Sequence, residues 1–159
     1  MYQSSTHYKD ACEVGKIEYS AAYRTLIWMV KAKQKNIDWA EKLVAADFRD
    51  IILVGAGDLC DILLEELKLS DVQICGIIES NIAKYEKQYP KGLLMRIEEV
   101  EPGFFVGKKV IVTYMNRYGE WVSKLQDKGV KVDDIVSLEE VISYLLLKKL
   151  DKEVQLCRT

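Results

Sequence analysis

IILVGAGDLCDILLEEL, Ile51 to Leu67, decides the fold. Four aliphatic residues in succession, Ile51 to Val54, ask for a strand buried on both faces, as the strands of a parallel sheet are. Gly55 and Gly57 follow at once, where the chain must turn sharply and where backbone approached by a pyrophosphate can carry no side chain. An amphipathic helix then begins at Asp58. Its first turn leaves amide N–H groups without intrahelical acceptors, so Asp58, Leu59 and Cys60 form an anion-attracting end. Cys60 stands at the third small position of a G-x-G-x-x-G loop, compact enough for a helix to lie on a strand but a departure from glycine or alanine. The Asp58 carboxylate also suits the head of the helix, and there it competes with any ligand anion.

Working outward, VQICGII, Val72 to Ile78, is a second buried run, and it ends in Glu79, about twenty residues past the loop. A carboxylate at that point accepts hydrogen bonds from ribose hydroxyls and favours a free diol over a 2′-phosphate. The same residues also fit a tight turn, a capped helix and a solvated strand end with no ligand. KKVIVTYM, Lys108 to Met115, is the third convincing strand. In an open parallel sheet the ligand crevice lies beyond the carboxyl ends of the strands where the winding reverses. Thr113, Tyr114, Asn116 and Arg117 are therefore expected beside the glycine loop, Arg117 either as a phosphate partner or as a solvated helix-start residue. Tyr114 would stack on a base or plug an empty crevice.

GLLMRI and KVDDIVSL complete five expected strands. The segment IAKYEKQYP reads as a helix ended by Pro90 and Gly92, RYGEWVSKLQDKG as one stopped by Gly129, and LEEVISYLLLKKL as the last helix. Strands alternate with helices, which predicts an α/β fold: a doubly wound, mostly parallel, five-stranded Rossmann-like sheet. Two helices precede it, Ile17 to Lys33 and IDWAEKLVAADF, the latter capped by Asn36 or Asp38. The expected organisation is a polar leader over 1–15, a helical segment over 16–48 and a nucleotide-binding domain over 49–159, all in one compact unit. The two leading helices are expected to cover one edge or face of the sheet; the alternative is a homodimer through the first helix, which has more apolar circumference than one contact surface buries.

A chain of 159 residues, 49% of them hydrophobic, can bury a core without disulfides or metals. Its net charge of −2, with scattered basic residues, argues against nucleic-acid binding. No apolar stretch reaches the length of a membrane span and no apolar leader opens the chain, so a cytoplasmic protein is expected. Cys12, Cys60, Cys75 and Cys157 form no paired motif, and the single histidine, His7, lies in the polar leader, so neither zinc nor a catalytic thiol is expected.

The runs GAGDLCDILLEEL, VQICGIIESN and VIVTYMNRYGEWVSKLQDKGVKVDDIVSLEEV resemble the Rossmann-like domains of bacterial cell-surface polysaccharide proteins, in particular the N-terminal nucleotide-sugar-binding domain of sugar O- and N-acyltransferases. The similarity covers roughly Asp50 to Val141. It implies a nucleotide-sugar held by Gly55, Ala56, Gly57, Asp58 and Glu79. Catalysis in those relatives resembles histidine-based acyl transfer on an appended left-handed β-helix. This chain has neither the hexapeptide repeats nor a suitable histidine, so it looks like the binding half, acting with a partner enzyme.

The expected ligand is NAD or a nucleotide-sugar. One alternative is an interaction protein that keeps the fold without a ligand. An NAD-dependent oxidoreductase is a distant third: Tyr144 and Lys148 match a Tyr-x-x-x-Lys spacing but lie among Leu145, Leu146 and Leu147, and no substrate domain remains after five strands.

Overall fold

The computed structural model describes residues 5–146, with side chains from residue 20 onward. Helix α1 (Ser5–Gln34) is followed by α2 (Trp39–Ala45). Asn36, at φ 51°, makes the left-handed turn that ends the first helix. Asp38 caps the second, its Oδ1 accepting the Glu41 N–H at 3.0 Å. Then come β1 (Asp50–Val54), α3 (Asp58–Leu67), β2 (Gln73–Ile78), α4 (Ile82–Tyr85), β3 (Leu94–Met95), β4 (Lys109–Val112), α5 (Tyr118–Asp127) and β5 (Ile135–Ser137). A last helix, α6, occupies residues 138–146. It opens on a capping box in which the Ser137 N–H donates to Glu140 Oε2 and the Glu140 N–H donates to Ser137 Oγ.

The five strands form one parallel sheet in the order β3-β2-β1-β4-β5. β1 is central and Ile51, Ile52, Leu53 and Val54 are all fully buried, which is why that stretch reads as continuous rather than alternating apolar sequence. Ile51 and Leu53 face one layer with Ile77 and Ile111, packed against Met29 of α1, Leu43 of α2, Leu63 of α3 and Ile142 of α6. Ile52 and Val54 face the other with Ile78, Val110 and Val112, packed against Trp121 and Leu125 of α5. Each such side chain contributes about 1.5–3 kcal/mol by leaving water. The fold is therefore the expected α/β sandwich with two helices ahead of the first strand.

Three expectations about element bounds are corrected. Residues 5–15, read as a leader, are helical, because α1 begins at Ser5. The helix after β2 stops at Tyr85 rather than running to Pro90, and the chain continues as turns to bring Tyr89 inward, where it is buried. β3 is only two residues long, pairing Leu94 and Met95 with Ile77 and Ile78. Residues 1–4 and 147–159, including Cys157, Lys148 and the end of the expected final helix, lie outside the described residues, as do the side chains of His7 and Cys12. Among the described residues no helix is long and apolar enough to cross a membrane.

Candidate functional site

The order β3-β2-β1-β4-β5 places the winding reversal between β1 and β4, so the loops after those strands lie side by side at the carboxyl edge. Gly55 has φ 106° and Gly57 φ 127°, conformations that L side chains rarely adopt. Gly55 is also enclosed. A Cβ on it would lie 2.6 Å from Tyr114 Cδ2 and 2.7 Å from Thr113 Oγ1. The Thr113 hydroxyl reaches the carbonyls of Val54 and Gly55 at 2.9 and 2.7 Å, tying the β4 loop to the β1 loop. Thr113 and Tyr114 thus stand beside the glycine loop as expected, with Tyr114 closing the half of it at Gly55.

Gly57 is the open half. A Cβ there would meet only the Tyr85 hydroxyl, at 3.8 Å. Gly57 is the N-cap of α3 and has no side chain with which to cap it. The Asp61 N–H donates to the Gly57 carbonyl at 2.9 Å as the first intrahelical bond, so the amides of Asp58, Leu59 and Cys60 have no acceptor within the helix. Asp58 is exposed, Leu59 half-buried and Cys60 buried. Burial pushes the Cys60 thiol up to about 12, against a smaller lowering by Tyr89, so its position at a helix N-terminus does not activate it.

Glu79 is only 1% exposed and accepts hydrogen bonds on both oxygens. Oε2 takes the Ala56 N–H at 2.9 Å and the Tyr114 hydroxyl at 2.8 Å. Oε1 takes the Asn81 N–H at 2.8 Å and the Ser80 hydroxyl at 3.3 Å. Burial pushes the Glu79 carboxyl up. The bonds from Asn81, Ala56, Tyr114 and Ser80 together outweigh it, and the net direction is down from 4.5. The phenol of Tyr114 moves up, first through its own burial and then through its bond to Glu79. In this arrangement Glu79 holds the glycine loop to the ends of β2 and β4. A ribose diol would have to displace Tyr114 to reach it.

Tyr89 supplies the second internal clamp. Its hydroxyl accepts the Gly57 N–H at 3.2 Å and donates to Asp61 Oδ1 at 2.6 Å. Sequence reasoning missed Tyr85, Tyr89 and Asp61; the only signal for the tyrosines is their spacing of four residues in the segment after β2, which reads equally well as helix surface, and Asp61 reads as a first-turn acid of α3. Tyr114 stacks on Trp121 with centroids 6.5 Å apart and planes 3° apart. The indole N–H of Trp121 is buried without an acceptor.

Arg117 does not turn into the crevice. Its guanidinium makes a two-pronged pair with Glu120, at 2.9 and 2.6 Å, and Lys124 joins from the next turn at 3.0 Å. Hydrogen bonds from Arg117 and then Lys124 hold the Glu120 carboxyl down to about 2. Asn116 is exposed in the turn between β4 and α5. Tyr144 lines a cavity of about 600 Å³ beside Phe48, Val132 and Ile135, residues that lead into β1 and β5 at the other edge of the sheet from the glycine loop. Among the described residues no group of three or more His, Cys, Asp or Glu is placed to hold a metal ion.

The fold and the glycine loop define a Rossmann-like α/β domain. No protein-family model matches the chain, and no curated protein or solved structure matches it.

Proposed function

We propose that this protein is a Rossmann-like binding module for a nucleotide-sugar or related nucleotide, without a catalytic apparatus of its own, acting with a partner enzyme of bacterial surface-polysaccharide synthesis. The observation that carries the proposal is the open face of Gly57. A left-handed glycine with nothing but the Tyr85 hydroxyl within 4 Å of its missing Cβ sits directly ahead of three amides that α3 cannot satisfy itself. A diphosphate seated there would accept from the Asp58, Leu59 and Cys60 N–H groups and gain from the helix dipole. The exposed Asp58 carboxylate opposes that charge, so binding strength depends on the sugar and base as well. Because Glu79 is engaged on both oxygens, the reading favours a ligand led by its diphosphate, a UDP-sugar or NAD, and the Glu79 carboxylate disfavours the 2′-phosphate of NADP.

A second reading, an interaction protein that keeps the fold and binds no nucleotide, is favoured by one specific feature. The Ala56 and Gly57 amides are already bonded to Glu79 and Tyr89. A thermal-shift panel of UDP-sugars, NAD, NADP, coenzyme A and S-adenosylmethionine separates the two. A ligand at about 100-fold its Kd stabilises by roughly 2.7 kcal/mol, and Gly57→Val, which places a branched side chain in the phosphate path, is expected to remove that shift. No shift with any compound supports the interaction protein.

A further inference from the structure

We propose that Tyr114 and Ser80 plug the candidate site from within: their hydroxyls hold the two places on Glu79 that a ribose diol takes, and a ribonucleotide enters by exchanging with them. The inference rests on the nucleotide-binding reading above. It adds to that reading an internal competitor and a selectivity for a free diol over a dideoxy sugar.

An ionised carboxylate offers about four lone-pair sites on its two oxygens. At Glu79 four donors fill them, two to each oxygen. They are of two kinds. The Ala56 and Asn81 N–H groups, at 2.9 and 2.8 Å, belong to the main chain and are set by the turns after β1 and β2. The Tyr114 and Ser80 hydroxyls, at 2.8 and 3.3 Å, stand on side chains that change rotamer. One hydroxyl lies on each oxygen. A vicinal diol brings the same pair of donors, so an exchange leaves Glu79 with its full set of bonds. With its sites filled and only 1% of its surface exposed, Glu79 receives a ligand hydroxyl only by giving up one of these donors.

The two hydroxyls are held unequally. Ser80 is exposed and its bond is long, so it yields readily to solvent or ligand. Tyr114 is the principal obstacle, because its ring also closes over Gly55 and stacks with Trp121. Chain order joins the plug to the phosphate path. Ala56, bonded to Glu79, directly precedes Gly57, whose open face leads to the free amides of Asp58, Leu59 and Cys60. A diphosphate on those amides keeps its ribose close to Glu79, and the exchange then proceeds within a complex already formed.

Calorimetric titration of the full chain with uridine and adenosine diphosphates, and with the 2′,3′-dideoxy form of each, tests this. Urea midpoints of the ligand-free proteins accompany it. Tyr114→Phe keeps the ring and removes the competing hydroxyl. It is expected to lower the urea midpoint, since a bond to an ionised group is lost, and yet to bind a ribonucleoside diphosphate about tenfold more tightly than the wild type. The dideoxy forms are expected to bind both proteins alike. Ser80→Ala should show a smaller gain with the same preference, and it decides alone if Tyr114→Phe does not fold. A tyrosine that serves only as a clamp gives the phenylalanine variant equal or weaker binding. That result overturns the plug and leaves the binding reading standing, as does a gain shared by the dideoxy forms. Absence of binding by every compound to every variant overturns both.

Discussion

Replacing Glu79 with alanine removes the acceptor on which the candidate site is organised. The loss is worked from its partners. The Ala56 N–H is buried within the turn and the Tyr114 hydroxyl is partly buried, so both are left without an acceptor, while the Asn81 N–H can turn to water. Hydrogen bonds to an ionised group contribute about 1.5–3 kcal/mol each, so two such losses cost about 3–6 kcal/mol. That is a large share of a domain stability of about 5–15 kcal/mol. Urea unfolding at neutral pH measures it, with Glu79→Gln as the companion that keeps the shape and loses the charge. The folded-state pKa lies below 4.5, so the stabilisation from ionised Glu79 is complete above that value and is lost as pH falls through the folded-state pKa. The difference between wild type and Glu79→Gln should therefore shrink in acid. A loss below about 1 kcal/mol for Glu79→Ala at neutral pH would refute the clamp.

The two glycines should respond unequally. Gly57→Ala incurs backbone strain of about 1–3 kcal/mol without crowding, whereas Gly55→Ala adds a clash with Tyr114 and Thr113 and should cost more, an order that denaturant midpoints will show. Tyr89→Phe breaks the bridge from the Gly57 N–H to Asp61 and should cost about 1–2 kcal/mol in the same assay; an unchanged midpoint would argue that the bridge contributes nothing. Cys60, buried and with its thiol raised to about 12, should resist iodoacetamide in the folded protein and react after unfolding, as mass mapping would reveal.

Much of the architecture is legible in the sequence because the parallel sheet imposes a strong pattern. Ile51 to Val54 and Val110 to Val112 are apolar at every position since both faces are covered, and Gly129, at φ 85°, stops α5 where a glycine after a periodic run should. Edge elements are less legible. β3 needs only two residues to pair with β2, and α4 is a single turn, so neither segment carries enough period to mark its ends. The start of α1 was hidden because residues 5–15 mix polar and apolar types without a clear stripe. In the site, the positions of Gly55, Gly57, Thr113 and Tyr114 follow from topology alone. The hydrogen-bond partners do not: Ala56 finds Glu79 across 23 residues, Tyr114 finds it across 35 and Tyr89 reaches Gly57 across 32, separations at which no local spacing constrains side-chain geometry.

The central claim is that the open end of α3 receives a diphosphate. Titrating isotope-labelled protein with UDP-sugars and NAD while following backbone amides by NMR addresses it residue by residue. The account predicts saturable shifts concentrated at Gly57, Asp58, Leu59 and Cys60. Amides there that stay still with every compound, or shifts gathered instead around Phe48, Val132 and Tyr144, would contradict it.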